Sequence, residues 1–115
     1  MILCQKFSEF LNRKYPPVNY VKYPLVATET IMQIWSMPGI GKTWFALELA
    51  ASIVSGNKFL TWEPSKNIKG DPEKYPVLYV EGEMRASALR ERIIDIQQSM
   101  ENFDFQLFNI SPVAE

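Results

Sequence analysis

The sequence predicts an α/β fold in which short strands alternate with helices along a parallel sheet. Three apolar segments, residues 31–35, 77–80 and 103–110, have the composition or the alternation of strands. We expect the first to be buried on both faces of the sheet and the second to be buried as well. Two stretches with helical periodicity, residues 44–55 and 87–100, lie between these three segments. This order is typical of a parallel sheet joined by crossover helices, and ligands bind beyond the carboxyl ends of such strands.

The loop after the first predicted strand, residues 36–43, has the spacing of a phosphate-binding loop. That pattern requires Gly, four residues and then Gly-Lys-Ser/Thr, and Gly41, Lys42 and Thr43 match its end. Gly41 lets the backbone approach a phosphate, Lys42 supplies a mobile charge, and Thr43 offers a hydroxyl to Mg²⁺. Ser36 stands where the pattern has Gly, which costs on the order of 1 kcal/mol if positive φ is needed there.

A chance Gly-Lys-Thr in an ordinary turn is the competing interpretation of this loop. We disfavour it because the strand, the loop and the helix all lie where phosphate binding needs them, with the partly positive helix N-terminus at the loop. The predicted cofactor-binding residues are Ser36, Met37, Pro38, Gly39, Ile40, Gly41, Lys42, Thr43 and Trp44.

Composition narrows the class of protein. The chain has 115 residues, 47% of them hydrophobic, as in one ordinary globular domain. A net charge of −1 neither supports nor excludes a nucleic-acid partner, and no apolar window is long enough to span a bilayer. A single cysteine and the lack of histidine exclude an internal disulfide and a Cys/His zinc site. We expect a cytoplasmic protein without a membrane partner.

We predict that residues 1–24 form an N-terminal helix and a connector, and that residues 25–115 form the nucleotide-binding domain. The helix, over residues 2–14, is expected to pack its apolar face on the domain; a partner-binding arm is the alternative. Its apolar residues are Ile2, Leu3, Phe7, Phe10 and Leu11. This end is also basic, and we favour a solvated face over a nucleic-acid contact. The basic residues are Lys6, Arg13, Lys14 and Lys22.

The helix after the loop is apolar nearly all round, so we expect it to be buried and to end at Gly56. Residues 57–76 contain three prolines and no regular period, which indicates a surface excursion or a functional loop. We expect Phe59, Leu60 and Trp62 to attach its start to the domain. A base-stacking role for Trp62 is the less favoured alternative.

The second predicted strand is followed directly by Glu81, Gly82 and Glu83. This segment and the loop 36–43 both leave carboxyl ends of strands, so we expect them to face one crevice. A carboxylate there could orient or deprotonate the water that attacks a nucleotide phosphate. From spacing alone, Glu83 is equally a solvated residue before the next helix, for which Ser87 is the predicted N-cap. In that helix the residues expected to lie outside are Arg90, Glu91, Arg92 and Asp95.

Two blocks together resemble a known family. They are WSMPGIGKTWFALELAASIVSGNKFLTWE and VLYVEGEMRASALRERI, and they are similar to RecA-like P-loop ATPases of the RepA hexameric replicative helicase type. This group includes AAA-family ATPases of plasmids, phages and other mobile elements. The shared features are an Ala-rich helix end, a Ser-Gly turn, Phe-Leu-x-Trp, and an apolar strand ending in an acidic residue followed by Gly-Glu-Met. The resemblance covers roughly residues 20–110 and the N-terminal part of such a core only.

The resemblance implies a three-layer parallel sheet of the RecA-like P-loop NTPase fold, with ATP and Mg²⁺ as cofactors. It implies that Glu83 is the catalytic glutamate, Lys42 the phosphate lysine and Thr43 the magnesium ligand, while Glu81 stands where the family often has Asp. Family partners would be single-stranded DNA and further copies in a ring. In the family a second metal-positioning acid and a trans-acting arginine lie beyond the third strand, so we expect the chain to be part of a larger ATPase or a truncated product.

Three functions stay open at this point. The leading hypothesis is Mg-dependent ATP hydrolysis in a DNA-associated, helicase-like ATPase of a mobile element. The second is a nucleotide-binding or oligomerisation module without turnover, which Ser36 and the lack of the later acid favour. The third is a small-molecule kinase, against which the Glu-Gly-Glu segment argues.

Overall fold

The computed structural model describes residues 4–114. Its helices are α1 (Phe7–Asn12), α2 (Lys42–Ser55) and α3 (Ala86–Ser99), and its strands are β1 (Tyr20–Tyr23), β2 (Val26–Ala27), β3 (Glu63–Pro64), β4 (Val77–Arg85) and β5 (Phe108–Ala114). The fold is α/β, and β4 and β5 pair in parallel across the α3 crossover, as predicted. None of the helices within residues 4–114 has the length and apolar content that a bilayer span requires.

The core lies between α2, α3 and one face of the β4–β5 pair. Tyr79 of β4 and Phe108 of β5 stack beneath the helices with their ring centroids 6.4 Å apart. Full burial of one leucine here contributes about 1.5–3 kcal/mol of transfer free energy. The buried residues of this cluster are Leu47 and Ala51 of α2 with Leu89 and Ile96 of α3.

Helix α2 is buried along most of its length, which confirms the sequence prediction. It ends at Gly56, whose φ of 68° is left-handed, and the Gly56 N–H donates to the Ser52 carbonyl. Phe45 of α2 packs edge-on against buried Phe59 at 5.1 Å, so Phe59 attaches the following loop to the domain. Leu60 was expected to join it but points into solvent, 67% exposed.

The face of β4 that points away from the core cluster is exposed to solvent. Leu78 and Val80 alternate with core-facing residues and are 67% and 61% exposed, so within residues 4–114 the prediction of a buried strand at residues 77–80 is wrong for this face. The physical reason is that α2 and α3 both contribute to the one core cluster that contains Tyr79. A third layer on the other face stays a prediction.

Residues 31–35 do not form the predicted buried strand. No regular structure is assigned to them, Trp35 is 82% exposed and Ile31 is fully exposed. A strand needs a hydrogen-bonded neighbour. In the described part of the chain β4 pairs only with β5, and no strand pairs with residues 31–35.

The predicted connector at residues 19–24 contains β1, which pairs antiparallel with β2 and with β3. The division of the chain after residue 24 stays a prediction. Helix α1 has only six residues and buries none of them, so the expected packing on the domain is not found for Phe7, Phe10 and Leu11. Such a short helix presents too little apolar area to fix itself on a neighbour. Ile2 and Leu3 lie outside the described residues.

Two element boundaries differ from the prediction. Helix α3 begins at Ala86 with Arg85 as its N-cap residue, because β4 runs straight into it, so Ser87 is inside the first turn and is not the cap. Strand β5 begins at Phe108. Phe103 and Phe105 precede it in a turn, where their rings pack edge-on at 5.2 Å, so their alternation reflects a local aromatic pair and not a strand.

Lys22 is buried and not solvated as predicted; its exposed fraction is 0%. Its ammonium donates to the carbonyl oxygens of Ser52, at 3.4 Å, and Asn57, at the C-terminal end of α2. The cation therefore compensates the partial negative charge of that helix end. Burial lowers the pKa of Lys22 from its usual 10.5, and the Glu63 carboxylate opposes this shift.

Lys22→Ala is expected to lower the free energy of unfolding by about 2 kcal/mol or more, because two carbonyls lose a donor and a cavity remains. Urea unfolding followed by circular dichroism measures the change. The control is Lys58→Ala, which removes an exposed ion pair with Glu63 at 3.1 Å and should cost less than about 1 kcal/mol. Equal losses for the two variants would contradict the role of Lys22.

The difference in the free energy of unfolding between the unaltered chain and Lys22→Ala also depends on pH. With its pKa below 10.5 in the folded protein, Lys22 releases its proton there before it does in the unfolded chain. The unfolded chain then binds more protons in that interval, so the stability that Lys22 contributes rises with pH up to 10.5 and is lost as pH falls through the folded pKa. The gap between the unaltered chain and Lys22→Ala should widen as pH is raised toward 10.5; a narrowing gap would contradict this.

Candidate functional site

A cavity of ≈ 520 Å³ lies where the loop 36–43 and the first turn of α2 meet β4 and α3. We call it the phosphate cavity. The structure thus places Glu83 of β4 in the same cavity as Lys42 and Thr43. Its lining residues are Met37, Pro38, Gly39, Gly41, Lys42, Thr43, Trp44, Glu83 and Arg92.

The loop backbone needs two glycines for its conformation. Gly39 has φ 82° and Gly41 has φ 102°, both in the left-handed region, which costs an L-residue on the order of 1 kcal/mol. A Cβ at either position would meet no protein atom within 4 Å. The glycines therefore shape the loop and leave open space on its inner side, where a phosphate group can approach the backbone.

The N-terminus of α2 is open to this space. No side chain caps it, and its first turn contains no acidic residue. The first N–H groups of a helix lack intrahelical acceptors and carry partial positive charge. Beside them stand the exposed ammonium of Lys42 and the half-buried hydroxyl of Thr43. This donor set fits a polyphosphate, and the Thr43 hydroxyl fits Mg²⁺ bound to that polyphosphate.

Ser36 does not strain the loop. Among the non-glycine residues that the structure describes, positive φ occurs only at Glu29, Leu60 and Asn102. Ser36 therefore does not carry the conformational free-energy cost of a positive φ. Its hydroxyl donates to the Met37 carbonyl at 3.3 Å. Ser36 and Ile40 lie outside the phosphate cavity, beside a separate ≈ 250 Å³ depression that also contacts Gly41 and Lys42.

Glu81 fixes the backbone that carries Glu83. One Glu81 carboxylate oxygen accepts hydrogen bonds from the N–H groups of Glu83, at 2.9 Å, and Met84, at 3.1 Å. The pairing of β4 with β5 is irregular between Glu81 and Arg85, so β5 alone does not hold this segment. Glu81 therefore positions Glu83, whose own side chain is exposed at the cavity.

Arg92 of α3 is the site residue that sequence reasoning missed, since it was assigned to the outer face. Its guanidinium carbon lies 5.1 Å from the centroid of the Trp44 ring, in cation–π contact. Helical spacing could have indicated its position. Arg92 lies three residues after Leu89 and four before Ile96, both of which are buried, so Arg92 shares their face of α3.

Tyr79 lies close to the same charges. Burial raises the pKa of its hydroxyl above 10.0, the Glu81 carboxylate raises it further, and the Arg92 guanidinium lowers it. Tyr79 therefore stays protonated in the core at neutral pH.

A family model described as AAA domain matches residues 3–114, nearly the whole chain. Comparison with curated proteins and with solved structures gave no match. The family match implies the P-loop NTPase fold and a nucleotide-binding function of the ATPase type, with the general use of a nucleotide and Mg²⁺.

Gly39→Ala and Gly41→Ala should each lower the free energy of unfolding by about 1 kcal/mol, because both positions have left-handed φ. Ser36→Ala is the matched control and should stay within about 0.5 kcal/mol of the unaltered chain. Urea unfolding of the three variants without nucleotide measures this. A loss at Ser36 as large as at the glycines would contradict the loop geometry.

Proposed function

The chain belongs to the AAA domain family, and from this premise we propose that it binds ATP with Mg²⁺ in the phosphate cavity and hydrolyses it. The observation that carries the proposal is the position of Glu83. A phosphate loop alone serves binding, whereas Glu83 on β4 brings a carboxylate into the same cavity, and attack by water requires such a group.

The roles of the residues follow from their positions. Lys42 and the open N–H groups of α2 hold the outer phosphates, and Thr43 contributes a hydroxyl ligand to the metal. Bound Mg²⁺ neutralises charge on the phosphates. Glu83 accepts a hydrogen bond from the attacking water, orients it toward the terminal phosphorus and accepts its proton as the water attacks. Glu81 keeps Glu83 in place through the backbone N–H groups of Glu83 and Met84, near the C-terminal end of β4.

The proposal extends to the wider protein class. A RecA-like three-layer core of the RepA helicase type, acting in the cytoplasm in replication or maintenance of a plasmid or phage, is supported by the resemblance of the two sequence blocks. Single-stranded DNA and a homo-oligomeric ring belong to this proposal. Stimulation of ATP hydrolysis by a single-stranded oligonucleotide would support it, and the lack of any oligonucleotide binding would argue against it.

A second candidate function is nucleotide binding without turnover. One observation favours it: among the lining residues of the phosphate cavity, Glu83 is the single carboxylate. Hydrolysis in P-loop ATPases also uses an acid that positions the metal. Tight Mg-ATP binding with no phosphate release by the unaltered chain would select this candidate over the first.

Lys42→Ala should weaken Mg-ATP binding about tenfold or more, because a charged partner of the outer phosphates is lost. Titration followed by tryptophan fluorescence measures binding, since Trp44 lines the cavity. Lys69→Ala removes an exposed lysine outside the cavity and should bind as the unaltered chain does. Equal affinities of the two variants would refute the assignment of Lys42.

Glu83→Gln should lower the rate of phosphate release about 10²–10⁴-fold while Mg-ATP affinity changes only a few-fold, since the amide cannot accept the proton of the water. Release of inorganic phosphate under saturating Mg-ATP measures the rate. Glu91→Gln, on the exposed surface of α3, is the control and should leave it unchanged. Retention of full activity by Glu83→Gln would remove this residue from the mechanism.

A further inference from the structure

We infer that Arg92 is a second phosphate-binding cation of the cavity, beside Lys42, and that the indole of Trp44 holds its guanidinium while no nucleotide is bound. The inference rests on the proposed nucleotide binding and names a residue that the phosphate-loop pattern does not contain. It also gives Trp44 a role, because its indole contacts the Arg92 side chain while no nucleotide is bound.

The first observation is the position of Arg92. It reaches the phosphate cavity from α3, whereas Lys42 reaches it from the start of α2. Two cations therefore approach the same space from different elements. Leu89 and Ile96, on the same face of α3, are packed in the core, so the backbone that carries Arg92 is fixed relative to α2.

The second observation is charge. The residues that line the cavity include two cations, Lys42 and Arg92, and one carboxylate, Glu83, which leaves a formal charge of +1. The phosphates of Mg-ATP carry excess negative charge, so the cavity and the ligand are complementary. Arg92 is half-buried, and a charge near low-dielectric surroundings gains more from a charged partner than one at the open surface.

The third observation is the state of the guanidinium in the structure. Within residues 4–114 no carboxylate lies within 4.0 Å of it, and it faces the Trp44 ring at 5.1 Å. A cation–π contact is weaker than a pair of charge-assisted hydrogen bonds to a phosphate. The exchange of the indole for a phosphate is thus favourable, and the planar guanidinium can make both bonds at once.

The test compares Arg92→Gln with Arg90→Gln. Arg90 is an exposed arginine two residues earlier on α3 that lines a different, apolar groove. Binding of Mg-ATP, Mg-ADP and AMP is measured by isothermal titration calorimetry on the 115-residue chain. We expect Arg92→Gln to weaken Mg-ATP binding at least about tenfold, Mg-ADP less and AMP least, and Arg90→Gln to change none of them more than about twofold.

Arg92→Lys keeps the charge but not the planar fork, so its affinity for Mg-ATP should fall between those of the unaltered chain and Arg92→Gln. Circular dichroism checks that each variant is folded. If Arg92→Gln is not folded, the Mg-ATP affinities of Arg92→Lys and Arg90→Lys are compared instead, and a loss confined to Arg92→Lys supports the inference. Equal Mg-ATP affinity of the Arg92 and Arg90 variants, or an equal loss for Mg-ATP, Mg-ADP and AMP, would overturn the inference alone. Absence of Mg-ATP binding by the unaltered chain would overturn the proposed function as well.

Discussion

The backbone groups at the two ends of α2 differ in whether the protein supplies their hydrogen-bond partners, and the rest of the structure depends on this difference. At the C-terminal end, Gly56 turns the chain and the buried ammonium of Lys22 binds the carbonyls of Ser52 and Asn57. At the N-terminal end no side chain caps the helix. One end is therefore satisfied inside the protein, and the other has no side-chain partner for its N–H donors.

This arrangement also explains why a small antiparallel sheet accompanies the parallel one. Strand β1 carries Lys22, and its pairing with β2 and β3 holds that lysine beneath the C-terminal end of α2. Asn57, just beyond the helix, donates from its side-chain amide to the Glu101 carbonyl at 2.7 Å, after the end of α3. The antiparallel sheet thus anchors α2, and the segments that follow α2 and α3 are joined to each other at the end remote from the phosphate cavity.

Much of this could be predicted from the sequence because its signals are local. The spacing of Gly41, Lys42 and Thr43 and the periodicity of α2 and α3 follow from residues close together in the chain. The parallel pairing of β4 with β5 joins distant residues, such as Val77 and Phe108, and was predictable from the order strand, helix, strand. The burial of Lys22 could not be predicted, because its partners are 30 and 35 residues away. The prediction of a strand at residues 31–35 is wrong for a related reason. Apolar composition indicates a strand but does not supply the neighbouring strand with which it must pair. Arg92 was missed because a charge was taken to mark the solvent side of a helix, although its spacing from Leu89 indicated the core side.

The uncapped start of α2 has a consequence for how the protein behaves in different buffers. Helix N–H groups without a partner lower stability relative to a capped helix, by about 1 kcal/mol for a typical cap. Any anion that occupies this end binds the folded chain and not the unfolded one, so it raises the melting temperature by mass action. If phosphate or sulfate occupies this end and chloride does not, melting temperatures measured in these salts describe two different ligation states of one molecule. The choice of buffer salt becomes part of the definition of its stability.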